Sequence, residues 1–253
     1  MAFDDWIARH VSDVDGAVIL RLYTWNQPAI TFGFHQHADR AFDHANLGDT
    51  PAIRRITGGR ALLHDPSELT YAIGINLVGG MFGDRFATIS SASECISETL
   101  VAFLRSIGRE SQYLRVSSVE NSRPDIFHSA PCFASSAKYE VFSAGQKLIA
   151  SAQKRLSKGL FQHGSMKIGG LKKHPALGGT GDVTECKPIT IEHFSGFADL
   201  FFQTFSLSLG MQIMTPPDRN EGRKWVMSRE QQIRDDTFRK REIVKQEESE
   251  ISL

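Results

Sequence analysis

The sequence predicts an α+β fold, a mixed or antiparallel sheet packed by helices. Three observations predict it. Apolar and polar residues alternate through the first half of the chain, broken by glycine and proline. The repeat then lengthens to three and four residues along one long segment, and does so again near residue 200. Between those two segments the alternation returns on both sides of a small-residue turn.

Ala17–Trp25 (AVILRLYTW) reads as a strand, as do the shorter runs Thr31–His35 and Ala52–Thr57. Leu69–Leu77 (LTYAIGINL) carries β-branched and aromatic residues at strand spacing. Pro28, Gly58-Gly59 and Gly79-Gly80 punctuate these runs. Ala92, Ile96, Leu100, Phe103 and Ile107 then form the stripe of an amphipathic helix, with Gly108 as its terminator. That stripe must be covered by a sheet or another helix. Cys95, beside Ile96, reads as an inert packed thiol. Tyr139–Ser143 and Gln146–Ser151 flank Ala144-Gly145 as a hairpin, and Leu160–Ile168 follows as a further strand. A second helix is expected from about Glu192 to Leu209, buried through Phe194, Phe197, Leu200, Phe201, Phe205 and Leu209. Pro216-Pro217 closes this region. The chain therefore divides into residues 1–215 and a charged extension, 216–253. Within the extension, Met227–Lys245 can form a surface helix carrying Ile233, Phe238 and Ile243.

Composition narrows the function classes. A chain of 253 residues buries about 70–75% of its extended surface and builds a core without staples. Hydrophobic residues at 41% and charged residues at 23% describe a globular protein. Lys plus Arg and Asp plus Glu both number 29, so no global charge calls for nucleic acid. Cys95, Cys132 and Cys186 form no CxxC pair and no disulfide framework. Asp4 and Asp5 sit where a secretory signal needs basic residues, and no run of 18 apolar residues exists. The expected location is the cytoplasm, with no membrane partner.

Four clusters can carry chemistry. In Arg54-Arg55-Ile56-Thr57-Gly58-Gly59-Arg60, glycines let backbone N–H groups approach a ligand and arginines can hold a carboxylate or phosphate. A tight turn with solvated arginines explains the same residues, and neither a Walker A sequence nor GxGxxG is present. His64, shortly after, either braces the loop or moves protons. Cys132, in SAPCFASSAKYE just before a strand, is either a core cysteine or a nucleophile suited to thioester exchange. Lys147 follows the hairpin turn. Strand alternation places it with Ile149 and Ser151, facing a cleft or water, while Ala150, Ser151 and Ala152 are small enough to leave room for a ligand chain. His163-Gly164, in Leu160–Met166 (LFQHGSM), is either a structural pair or part of a site. His35 and His37 alternate on what reads as one strand face, but no compact metal-ligand spacing occurs. Trp25, Phe32 and Phe34 shape a pocket wall or core.

Taken together and in order, these segments resemble the biotin/lipoate protein ligase and lipoyl-transferase superfamily. RRITGGRALLHD (54–65) resembles its arginine/glycine-rich acyl-pocket signature, and ELTYAI (68–73) the strand that follows. GQKLIASAQKR (145–155) resembles its lysine loop, LFQHGSM (160–166) the next strand, and WNQPAITFGFHQ (25–36) the start of the domain. SAPCFASSAKYE (129–140) is similar to the cysteine segment of LipM-type octanoyltransferases and related amidotransferases. The resemblance implies the ligase catalytic-domain fold for residues 1–215, Cys132 as acyl-carrying nucleophile and Lys147 as its catalytic partner. It implies substrate binding by Arg54, Arg55, Thr57, Gly58, Gly59, Arg60, His64, Ser151, Ala152, His163 and Gly164. The implied donor is octanoyl-acyl carrier protein. The implied acceptors are apo lipoyl-domain proteins such as glycine-cleavage H protein or 2-oxoacid dehydrogenase E2, with no cofactor and no metal. Runner-up activities are ATP- and Mg2+-dependent lipoate ligation, amidotransfer between carrier proteins, and non-catalytic binding of an acyl group or carrier protein. Two departures stand out: Ala150 occupies a position commonly glycine, and Arg123-Pro124-Asp125 replaces a ligase-like Arg-Asn-Asp.

Overall fold

The computed structural model describes residues 1–80, 82–114, 140–143, 145–179 and 187–211. The chain opens with helix α1 (Ala2–His10), which the strand-dominated reading of this half did not include. Its signal is electrostatic: Asp4 and Asp5 occupy the first turn, Arg9 and His10 the last, each sign at the helix end that favours it. Then follow β1 (Val18–Tyr23), β2 (Ala29–Phe32), the short α2 (Ala38–Ala41), β3 (Ala52–Arg54), β4 (Leu62–His64) and β5 (Leu69–Asn76). The second half contributes α3 (Ile89–Ser106), β6 (Gln112–Leu114), β7 (Glu140–Ser143), β8 (Gln146–Lys147), β9 (Ile149–Arg155), β10 (Gly159–Met166) and α4 (Ile191–Leu209).

Three sheets result among the described residues. The largest has the order β1-β5-β10-β9 and is antiparallel throughout. A second, β3-β2-β4, is mixed, because β2 pairs parallel with β3 and antiparallel with β4. The third, β6-β7-β8, is antiparallel. The expected α+β class with mixed and antiparallel pairing is what the chain adopts.

Strands β5 and β10 are buried along their whole length, so both faces of the large sheet are covered. One face is apolar. Tyr71, Ile73 and Ile75 of β5, with Leu160 and Met166 of β10, meet Ile96, Leu100 and Phe103 of α3 and Phe201 and Phe205 of α4. Phe201 is the hub: its ring meets that of Phe103 at 5.3 Å and 90°, and lies 4.6 Å from that of Phe205. Thr88 caps α3 in a reciprocal pair with Ser91, and Thr190 caps α4, which ends on Gly210 in the left-handed region.

The opposite face takes α1. Ile7 and Ala8 pack on Ala72 and Phe161. A Cβ at Gly74 would lie 2.7 Å from Ile7 Cγ2, so the glycine in LTYAIGIN admits the helix.

Several boundaries moved. The strand expected over Thr31–His35 stops at Phe32, because the chain turns with Gln36 N–H donating to Gly33 O. His35 and His37 therefore share no strand face. The strand at Ala52–Thr57 shortens to Ala52–Arg54. The hairpin forms, with Phe142 opposite Lys147 and Ser143 opposite Gln146. Its second strand breaks at Leu148, where β9 passes into the large sheet. Alternation consequently does not run through from Lys147 to Ser151. The expected extension 216–253 lies outside the described residues.

Replacing Phe201 with Ala removes the aromatic hub shared by α3, α4 and β5. Urea unfolding is expected to show a loss of about 3–5 kcal/mol.

Candidate functional site

The site lies on the α1 side of the large sheet, where its cover passes to the β3-β2-β4 sheet and the glycine loop. The register sets three strands side by side. Ser165 of β10 stands opposite Thr70 of β5 and Ala150 of β9, and His163 stands opposite Ala72 and Ala152. Ala150, Ala152, His163 and Ser165 line a cavity together with Thr70, Leu62, His64, Arg55, Gly59, Met1, Ser151 and Gly164. Its volume is about 30 Å³, two to three times the ~10–15 Å³ that one ordered water needs on the same measure.

The glycine loop is held by close backbone approach and by arginine. A Cβ at Gly33 would fall 2.0 Å from Gly59 O, so the turn after β2 tolerates no side chain there. Gly59 has φ +94°, in the region that favours glycine. Arg55, only 5% exposed, donates through Nη1 to Thr31 O and Oγ1 at 2.9 Å. Through Nη2 it donates to the carbonyls of Gly58 (3.1 Å) and Arg60 (2.9 Å). Arg54 donates to the carbonyls of Phe34 and Gln36 and lies over the Phe32 ring. These two guanidinium groups thus fix the loops around the cavity. Arg54, Thr57, Gly58 and Arg60 are not among its lining residues, whereas Arg55 and Gly59 are.

Two buried histidines in the wall are built alike. His163 Nδ1 contacts Asp4 Oδ2 at 2.8 Å and its Nε2 contacts Thr57 Oγ1 at 2.7 Å. His64 Nδ1 contacts Glu68 Oε1 at 2.6 Å and its Nε2 contacts Thr31 Oγ1 at 2.8 Å. Burial pushes both imidazoles below the ordinary histidine range, despite their carboxylate neighbours. An ionised carboxylate can only accept, so in each neutral ring the proton sits on Nδ1. Nε2 then accepts from the threonine hydroxyl.

The carboxylates remain charged. Burial works against Asp4, but the amino terminus, His163 and Arg21 outweigh it and hold the carboxyl well below its usual range. Burial also raises Glu68, and Lys167 and His64 more than reverse it, to about 2. Lys167 ties the second set together: its Nζ donates to Leu63 O at 2.7 Å and pairs with Glu68 and Asp65. Thr70 Oγ1 donates to Glu68 at 2.8 Å and accepts from Trp25 Nε1 at 2.8 Å, while the Trp25 ring stacks on His64.

The consequence is a wall of carbon made from polar residues. The ring nitrogens of His64 and His163, the hydroxyl of Thr70 and the guanidinium of Arg55 all spend their polarity on protein partners. Ser151 does the same on the other face, where its hydroxyl meets Tyr71 OH at 2.8 Å and Gln162 Nε2 donates to that phenol. Burial, against the hydrogen bonds from Ser151 and Gln162, raises the Tyr71 pKa to about 12 and keeps the phenol protonated.

Lys147 is buried beside Glu140, Nζ to Oε1 at 2.6 Å, and is not among the cavity-lining residues. Cys132 lies outside the described residues. Cys95 is buried against Arg85, and burial raises its thiol pKa, as suits a packed cysteine. Sequence reasoning missed Asp4, Glu68 and Lys167, and also Leu62, Thr70 and Ser165 as wall residues, while Ala150, read as leaving room for a ligand chain, does line the cavity. Among the described residues no three His, Cys, Asp or Glu side chains are grouped to hold a metal ion, and no helix is long and apolar enough to cross a membrane.

Residues 1–174 match the lipoyl protein ligase A/B catalytic domain. The chain belongs to that family. Octanoyltransferase LipM of Kyrpidia tusciae is 34% identical over 170 residues, 66% of this chain and 61% of that protein. Octanoyltransferase LipM of Carboxydothermus hydrogenoformans is 34% identical over 172 residues, 66% and 60% of the two chains. The match thus spans about 60% of the length of these relatives. Among solved structures, lipoate-protein ligase A bound with ATP superposes with a TM-score of 0.64 at 19% identity, covering 90% of this chain and 86% of that one. A bi-partite lipoate protein ligase from Thermoplasma acidophilum gives 0.59 at 16% identity, covering 90% and 84%. These likenesses establish the ligase A/B catalytic-domain fold.

The depressed pKa values fix the sign of an acid response. The folded protein binds fewer protons than the unfolded chain wherever pH lies below the ordinary pKa of a group and above its folded value. Stability is therefore expected to fall as pH drops below about 6.5 through the two histidines, then further between about 4.5 and about 2 through Glu68. Urea unfolding at a series of pH values should show this decline. Glu68→Gln should lose about 3–5 kcal/mol at neutral pH and respond less steeply below pH 4.5.

Proposed function

We propose that the protein transfers an octanoyl group from an acyl carrier protein to a lipoyl-domain lysine, through a cysteine thioester. The observation that carries this reading is the 34% identity to proteins named Octanoyltransferase LipM across two thirds of the chain. The carbon wall around the cavity supports it, because a hydrocarbon chain gains about 0.8 kcal/mol per buried methylene and needs no polar partner. We assign residues 1–215 to the catalytic unit and 216–253 to an extension.

In this mechanism the Cys132 thiolate attacks the thioester carbonyl. A carbon–sulfur bond to Cys132 forms, the bond to the pantetheine sulfur breaks, and that sulfur leaves as a thiolate that takes up a proton. The acceptor lysine, as a free amine, then attacks the acyl-cysteine. The amide forms, the nitrogen passes its proton to Lys147, which the first step left neutral, and Cys132 departs as the leaving thiolate. Lys147, beside Glu140, acts in this mechanism as the ammonium group that stabilises the Cys132 thiolate and supplies the proton to the departing sulfur. Backbone N–H groups of the cysteine segment or glycine loop stabilise the tetrahedral oxyanion. Neither bond exchange needs a metal or organic cofactor. Chain length is selected by cavity depth, and one methylene changes the discrimination by only about 1–3 kcal/mol.

Purified protein incubated with octanoyl-acyl carrier protein and no ATP should gain one octanoyl group by intact mass, and lose it on addition of apo-H protein. Cys132→Ala should abolish the adduct. A strict requirement for ATP and free octanoate or lipoate, with acyl-AMP formation, would assign ligation instead. Octanoylation from octanoyl-H protein but not from the carrier protein would assign amidotransfer.

A further inference from the structure

Four buried side-chain atoms among the described residues make no hydrogen bond: Ser111 Oγ, Glu140 Oε2, Gln153 Oε1 and Ser165 Oγ. Ser165 alone among these four residues lines the cavity. A buried unsatisfied hydroxyl costs free energy unless something outside the chain completes it. Every other side-chain heteroatom described above in that wall is engaged within the protein. Met1 apart, the cavity wall therefore presents carbon and one open hydroxyl, which suits the carbonyl end of a ligand that is otherwise hydrocarbon.

The register says which end of such a ligand the hydroxyl meets. Ser165 pairs with Ala150, the next pair is Met166 with Ile149, and Lys167 N–H donates to Leu148 O. Along this edge the following residue is Lys147. His163 and Ala152 lie about 7 Å further into the sheet, at ~3.4 Å per residue. Ser165 thus stands at the Lys147 end of the cavity and His163 at the other.

We propose that Ser165 is a substrate-binding residue whose hydroxyl donates to the carbonyl oxygen of the bound acyl group, with the hydrocarbon tail running towards His163. The inference rests on the acyl-transfer reading and adds to it a contact and an orientation. Thr70 Oγ1, directly across the strands, is already paired with Glu68 and Trp25 and cannot substitute for it. A hydrogen bond at this point fixes the carbonyl relative to the attacking sulfur, while leaving the tail to the carbon wall.

The test uses two probes that differ in one oxygen: S-octanoyl-N-acetylcysteamine and the thioether S-octyl-N-acetylcysteamine. Both are titrated by calorimetry into the full chain carrying Cys132→Ala, to prevent turnover, with and without Ser165→Ala. Loss of the hydroxyl is expected to weaken thioester binding by about 3- to 10-fold and to leave thioether binding unchanged. The unliganded Ser165→Ala protein is expected to melt no lower than its parent, because the deleted hydroxyl has no internal partner. Equal effects on both probes, no effect on either, or a lowered melting temperature would overturn the assignment of Ser165 alone. Failure of the Ser165-containing protein to bind either probe would overturn the acyl-transfer reading, and this contact with it.

Discussion

The site depends on one constraint: a polar side chain buried between the large sheet and its cover must find a partner, and at this site all but Ser165 find it inside the protein. On the α3/α4 face the constraint is met by near-absence of polarity, through Ile73, Ile75, Leu160 and the Phe103–Phe201–Phe205 cluster. On the α1 face it is met by pairing. Asp4, His163 and Thr57 form one chain of contacts, and Glu68, His64 and Thr31 form another. Arg55 joins the second chain to the glycine loop through Thr31 and the carbonyls of Gly58 and Arg60. Because these atoms point at one another, the space beside them is walled by carbon. Polar residues have in this way been made to build an apolar cavity. A cavity lined simply with leucines would have lacked the cross-links that hold the loop, α1 and β10 in register.

Much of this was legible in the sequence, for identifiable reasons. The stripe from Ala92 to Ile107 and the phenylalanine-rich segment to Leu209 became helices because each has a continuous apolar face and a threonine cap. Leu69–Leu77 became a central strand because it is largely apolar on both sides, as a doubly covered strand must be, and Leu160–Ile168 pairs along its length. Arg55, Gly59, His64, Ala152, His163 and Gly164 were identified as a group and do border one cavity.

What escaped reading was long-range or irregular. Helix α1 is short, and only its charge asymmetry announces it; with it went Asp4, whose partner lies 159 positions away. Glu68 and Lys167 look like ordinary surface charges in the sequence, and only the fold brings them together with His64. Lys147 was placed by extending one strand's alternation to Ser151, but the chain changes sheets at Leu148 and the parity is lost. Arg54 and Arg55 suggested an anion site, yet backbone carbonyls claim both guanidinium groups.

The Asp4–His163 contact also bears on how the chain reaches this state. Closing a loop of that length is entropically costly and slow relative to local pairing. Synthesis proceeds from the amino terminus, so α1 emerges well before β10 exists. Until that strand arrives, the Asp4 carboxylate lacks its imidazole partner, and α1 has neither Phe161 nor a completed sheet to lie on. The wall beside this contact therefore acquires its final form only when Asp4 and His163 have met.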